Sequence, residues 1–256
     1  MRTVAVIQAR SGSTRFPGKV TADLCGRPML AHVIERVTRA VTVDRVVVAT
    51  TDLPADDAVA DLAARCGAAV TRGPVDDVLG RFVVAAREHG AGVVVRVTAD
   101  CPLVDPSIID AVVRARAEQA ADYASNLTPP TYPDGYDAEA LTTACLERLA
   151  REVIYDYERE HVTARVRERP ELFSVVNVAG DRDLSGIRLT VDVPEDLVRM
   201  ASILAALDGD PLPGLSAVVA AIEADPALSD QSKLPGRDER YHRQRDRARH
   251  QGVAGW

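Results

Sequence analysis

Short apolar runs alternate with longer segments whose apolar residues recur at helical spacing, and no other feature limits the possible folds of this chain so strongly. The runs fall at residues 4–7, 45–49, 69–71 and 93–97, and are rich in β-branched valine. Between them, residues 28–38, 55–66 and 76–89 read as amphipathic helices, and another helix begins near Pro106. Parallel strands need a crossover of a dozen or more residues, usually a helix, and these intervals supply it. The expected class is therefore α/β, with a mostly parallel central sheet carrying helices on both faces. In such sheets ligands gather at the carboxyl ends of the strands. After residue 121 the alternation fails. Residues 122–141 hold three prolines and three of the six tyrosines, and read as a long loop between two strands. Two helices over 142–169, strands near 172–178 and 187–191, and helices over 194–207 and 215–224 complete the expected fold. We find no internal repeat.

The first run spills into Gln8-Ala9-Arg10-Ser11-Gly12-Ser13-Thr14-Arg15-Phe16-Pro17-Gly18-Lys19. This loop gathers two glycines, several hydroxyls and the cations Arg10, Arg15 and Lys19 around one small volume, which suits a polyphosphate. It is not a Walker A loop, because five residues separate Gly12 from Gly18 and Val20 follows Lys19. A dinucleotide-binding G-x-G-x-x-G is absent. A formal net charge of −7 argues against nucleic acid or an anionic membrane as the main partner, so the phosphate site must be a local basic pocket.

Two other predicted strand ends carry polar punctuation, Thr50-Thr51-Asp52 and Thr98-Ala99-Asp100-Cys101-Pro102. A bound polyphosphate is usually accompanied by a magnesium ion, which keeps several waters and takes only one or two protein carboxylates. Asp100, after the 93–97 run, and Asp192, in Leu189-Thr190-Val191-Asp192-Val193-Pro194-Glu195-Asp196, stand where such acids belong. Asp192 equally reads as a helix N-cap and Asp100 as a turn residue. Asp76 or Asp77 reads as a cap of the helix that follows. Glu158, Arg159, Glu160 and His161 fit either a substrate contact or the wet side of a helix. The four cysteines form no C-x-x-C pair, so free thiols are expected. The start of the chain carries no export signal, no stretch approaches 18 consecutive apolar residues, and a cytoplasmic location is expected. Lys233 to Arg249 carries seven Lys or Arg against three acids, so 229–256 is expected to be a disordered polar tail after a domain over 1–228.

Three segments, taken in order, resemble the motifs of the cytidylyltransferases that activate sugar acids as CMP conjugates, in particular the spore coat polysaccharide branch. They are the loop from Gln8 to Lys19, Arg96-Val97-Thr98-Ala99-Asp100-Cys101-Pro102-Leu103-Val104-Asp105-Pro106, and the stretch from Leu189 to Asp196. Phe16 stands where that family usually has Leu, and Ala99 where it usually has Gly. The resemblance spans about residues 3–205. It implies a Rossmann-like nucleotide-diphospho-sugar transferase fold of the GT-A-like type. It further implies a small dimerisation extension over about 122–170, a homodimer, and CTP as co-substrate with Mg2+. By resemblance, Arg10 and Lys19 hold the phosphates with Arg15 assisting, and Asp100 and Asp192 bind the metal. The nucleotide would lie against Gln8, Ala9, Ser11, Gly12, Ser13, Thr51, Arg72 and Thr98. The acceptor would lie against Tyr136, Asp137, Glu139, Glu158 and His161.

The expected reaction is CMP transfer from CTP to a sugar acid or related acceptor, with pyrophosphate released. Two alternatives stay open. A glycosyltransferase on this fold would use a D-x-D metal motif, for which only Asp181-Arg182-Asp183 and Asp208-Gly209-Asp210 are available. A nucleotide-binding regulator without chemistry is the other, and Ala99 is the feature that suggests it.

Overall fold

Alternate residues of the central strands enter two different cores, which explains why the strands read as unbroken apolar runs. In β1 (Thr3–Gln8), Ala5 and Ile7 face one core while Val4 and Val6 face the other. The computed structural model describes residues 1–207, 210, 212–229 and 237–252. After β1 comes a two-stranded hairpin, β2 (Asp23–Leu24) and β3 (Arg27–Pro28), followed by α1 (Met29–Thr38). Then follow β4 (Arg45–Thr51), α2 (Asp57–Arg65), β5 (Ala69–Gly73), α3 (Val78–Glu88), β6 (Val93–Thr98) and α4 (Pro106–Glu118). The irregular half contains β7 (Tyr123–Ser125), β8 (Glu139–Thr142), α5 (Thr143–Arg151), α6 (Asp156–Glu160), α7 (Ala164–Glu168) and β9 (Val175–Asn177). The last elements are α8 (Pro194–Ala206), α9 (Leu215–Ala224) and α10 (Glu239–Gly252).

The sheet order is β5-β4-β1-β6-β8-β7-β9, with β8 antiparallel to both of its neighbours and every other pairing parallel. Helices α1, α2 and α4 pack on one face and α3 and α5 on the other. The expected mostly parallel sheet with helices on both faces is the observed one. The carboxyl ends of β1 and β6 therefore open side by side.

Four details differ from the sequence reading. Residues 142–169 form three short helices rather than two. Glu158 accepts from the backbone N–H groups of Ile154 (2.6 Å) and Tyr155 (2.9 Å), and so starts a separate helix, α6. Residues 187–191 form no strand; a single bridge joins Asp134 to Arg188. Their backbone instead ties two loops together, Leu189 N–H donating to Asp134 (2.7 Å) and Val191 N–H to Asp100 (2.9 Å). The α2 helix starts after a 3-10 turn at Pro54–Asp56 rather than at residue 55.

The fourth difference is the tail. Its described part, expected to be disordered, holds the helix α10, while residues 230–236 and 253–256 lie outside the described residues. The cause is one aromatic anchor. Tyr241 is 4% exposed, its ring 6.1 Å from Tyr157 and 5.3 Å from His161, with the Arg167 guanidinium 4.5 Å above it. Arg167 also pairs with Asp238 (2.7 Å) and Arg249 with Glu168 (2.9 Å), interactions that composition cannot reveal.

Candidate active site

The phosphate-loop candidate is shaped by its own backbone. Gly18 N–H donates to the Ser11 carbonyl (2.9 Å), and Gly18 adopts φ 73°, a left-handed conformation open to glycine at little cost. That turn starts a 3-10 segment, Lys19–Thr21, and sends the Lys19 side chain into a cleft of about 1410 Å3 above the β1 and β6 ends. The Lys19 ammonium donates to Asp100 (2.9 Å), to Asp192 (3.2 Å) and to the Val191 carbonyl (2.8 Å). Two acids 92 residues apart in the chain thus meet on one cation. Arg15 adds a second contact to Asp192 (3.0 Å) and Arg188 a third (3.4 Å).

The charges reinforce one another. Burial favours the neutral form of Asp100, but the Lys19 ammonium and the Thr98 hydroxyl outweigh it and hold the carboxyl down at about 2. Burial likewise pulls Lys19 down, and Asp100 and Asp192 more than reverse this, so its pKa is raised. Asp192 does not cap α8: Asp196 accepts from the N–H groups of Asp192 (2.8 Å) and Val193 (3.1 Å). Its side chain is left to the cleft. Ala99 is also accommodated. Its φ is not positive, so an alanine adopts this backbone without left-handed strain, and it lines the cleft at 3% exposure.

Gln8, Ala9, Arg10, Ser13, Arg15, Lys19, Thr98, Asp100 and Asp192 all line this one cleft, as do Asp137, Glu139 and His161. Other expected site residues do not. The Ser11 N–H and hydroxyl are taken by Asp56 (2.6 Å) and the Ala55 carbonyl (3.0 Å), and neither Ser11 nor Gly12 lines the cleft. Thr51 is fully buried and donates to Asp56, which turns it away. Arg72 pairs with Asp57 (2.7 Å) and with the carbonyls of Thr51 and Leu53 on the outer side of β5. Tyr136 belongs to the core, and Glu158 is used as the α6 cap. Asp77, not Asp76, accepts from Gly80 N–H (2.9 Å) as the cap of α3. Of the D-x-D stretches, Arg182 pairs with Glu223 and Asp183 with Ser185, away from the cleft; residues 208 and 209 lie outside the described residues.

Several cleft residues were not singled out from the sequence. Arg96 pairs with the buried Glu139 and donates to the Gln8 side chain (3.1 Å), joining β8 to β1 across β6. Glu139 also accepts from Tyr123 (2.6 Å) and Thr163 (2.5 Å). A lone arginine inside an apolar strand was the available signal. Arg81 holds the turn after β5 through the carbonyls of Pro74 (2.6 Å) and Val75 (3.3 Å). Arg237, from the C-terminal segment, pairs with Asp137 and approaches Asp134 (4.0 Å). Burial pushes Asp134 up to about 6 and Asp137 to about 7 even beside that cation.

Among the described residues no group of three or more His, Cys, Asp or Glu is placed to hold a metal, and no helix is long and apolar enough to cross a membrane. Two carboxylates and a polyphosphate nevertheless suffice for a hard cation that keeps several waters. The Lys19 ammonium, gripped by both acids, marks a position where positive charge is stable.

The family model described as cytidylyltransferase matches residues 4–212. The spore coat polysaccharide biosynthesis protein SpsF of Bacillus subtilis is 33% identical over 198 residues, covering 75% of this chain and 81% of the relative. A 3-deoxy-manno-octulosonate cytidylyltransferase of Anaeromyxobacter dehalogenans is 47% identical over 120 residues, 46% of this chain and 48% of that one. Among solved structures, a cytidylyltransferase from Leptospira borgpetersenii matches with a TM-score of 0.87 at 30% identity, over 92% of this chain and 99% of that chain.

Proposed function

The chain belongs to the cytidylyltransferase family of CTP-dependent nucleotidyltransferases, and on that premise we propose that it transfers CMP from CTP to a sugar acid or related acceptor. The single observation that carries this reading is Lys19 bridging Asp100 and Asp192 at the base of a cleft whose loop also presents Arg10 and Arg15. The acceptor's oxyanion, its hydroxyl proton already lost to solvent, attacks the α-phosphorus, the bond from that phosphorus to the β-phosphate oxygen breaks, and pyrophosphate leaves. Arg10 and Arg15 bind the triphosphate. Lys19 stabilises the charge that grows on it in the transition state, where fixed cations are worth more than in water. Arg96 and Gln8 form the rigid floor between the nucleotide and acceptor ends, with Asp137 and His161 on the acceptor side.

Asp100 and Asp192 would hold a magnesium ion, their oxygens fitting a hard cation. When bound, that ion would neutralise phosphate charge and orient the reacting groups. A homodimer through residues 122–170 belongs to the same proposal, and sedimentation of the full chain tests it.

The experiment is a matrix of the four nucleoside triphosphates against sugar-acid acceptors, with magnesium present or removed, read by pyrophosphate release. Only CTP with an acid-bearing acceptor and magnesium is expected to turn over. Lys19→Ala is expected to lower turnover by about 10²–10³-fold. An unchanged rate in that variant removes Lys19 from the mechanism.

A further inference from the structure

The basic C-terminal helix lies beyond residues 4–212, the stretch that the family model matches. Yet it packs across the same cleft. Arg237, Asp238, Tyr241, Gln244, Arg247 and Ala248 line it, so the segment runs from Asp137 near the metal acids to α6 opposite the phosphate loop. One carboxylate connects this segment to that loop. Glu160 lies 4.0 Å from the Arg10 guanidinium and accepts from the Gln244 side chain at 2.6 Å. Arg247 follows Gln244 by three residues and therefore lies on the same face of α10.

The cations of the cleft differ in how far they are already committed. Lys19 and Arg15 serve Asp100 and Asp192; Arg188 serves Asp196 and, at longer range, Asp192; Arg96 serves Glu139; Arg237 serves Asp137; Arg243 serves Glu239. Arg247 lines the cleft with no hydrogen bond or ion pair among the described residues. A cation left unpaired in a cleft built for a polyanion has an obvious use.

We propose that α10 is a strap that closes over bound nucleotide, and that Arg247 is a further phosphate-binding residue delivered by it within the same chain. The proposal rests on the cleft's holding CTP, as the preceding reading has it. A triphosphate seated against Arg10 would lie beside the α10 face, within reach of a long arginine side chain. Tyr241 acts as the hinge pin, being the buried anchor that docks the strap.

The test measures CTP binding by calorimetry, without acceptor, in the full chain and in its Arg247→Ala and Tyr241→Ala variants, alongside amide exchange over residues 239–252. Arg247→Ala is expected to weaken CTP binding by about tenfold, the order of one charge-assisted hydrogen bond. Tyr241→Ala, by undocking the strap, should cost at least as much, and adding Arg247→Ala to it should cost little more. In the full chain, CTP should slow exchange across 239–252. Unchanged CTP affinity in Arg247→Ala, or strap exchange indifferent to CTP, overturns the inference while leaving the catalytic reading intact. Failure of the full chain to bind CTP at all overturns both.

Discussion

At the residue scale, the site turns on how strongly a single cation perturbs Asp100. Asp100, with an ordinary value of 3.8, is held at about 2 because Lys19 and Thr98 outweigh its burial. The folded value lies below the unfolded one, so its contribution is complete above about pH 4 and drains as pH falls toward 2; at neutral pH it is on the order of 2 kcal/mol. Thermal unfolding followed from pH 7 to pH 2 should show this loss in the parent chain and a flatter acid limb in Asp100→Asn. Parallel acid limbs would mean that Lys19 does not engage Asp100. Asp137 shows the opposite sign. Burial lifts it to about 7 despite Arg237, so any stability linked to its protonated form fades as pH rises through neutrality.

At the element scale, the irregular stretch 187–191 matters more than any regular strand beside it, because it carries Asp192 to Lys19. It is positioned by contact with the loop before β8. Gly135 there has φ 106°, and a Cβ placed on it would meet the Leu189 carbonyl oxygen at 2.7 Å. Gly135→Ala is expected to cost about 2 kcal/mol or more, through backbone strain and the forced shift of residues 189–192. The urea midpoint reads the stability term, and pyrophosphate release reads the displacement of Asp192. A variant equal to the parent in both would show that the contact does not position Asp192. The sequence reading placed a strand here, where Ile187, Leu189 and Val191 alternate with Arg188 and Thr190. The structure leaves them without a strand partner, since the backbone groups of Leu189 and Val191 bond to loop residues.

At the scale of the whole molecule, the central strands and the strap stand at opposite ends of a range of local stability. Strands β1, β4 and β6 are buried on both faces, whereas α10 is held by one aromatic anchor and a set of ion pairs. Amide exchange in the nucleotide-free chain should therefore be slowest in β1, β4 and β6 and fast in α10, with added salt speeding α10 selectively as its ion pairs are screened. Equal protection of strands and strap would contradict a separately moving segment. Most of the sheet was legible because alternation of short apolar runs with amphipathic helices leaves few topologies. The strap was not legible, because a segment rich in arginine and poor in apolar residues reads as solvated unless a partner surface is known.

What the amino-acid order determined alone was the class of fold, the strand ends at which the site opens, and the cations of the first loop; Asp100 and Asp192 read equally as a turn residue and a cap until the family resemblance singled them out. The fold class, the strand ends and the loop cations follow from local periodicity and from residue types that chemistry requires, both of which act over short stretches. Tertiary structure decided which of those groups meet. It turned Thr51 and Arg72 away, gave the capping role at α8 to Asp196 so that Asp192 faces Lys19, and laid Arg247 against the cleft. The reason is physical: a side chain's role is settled by the partner that reaches it first, and that partner is often dozens of residues away.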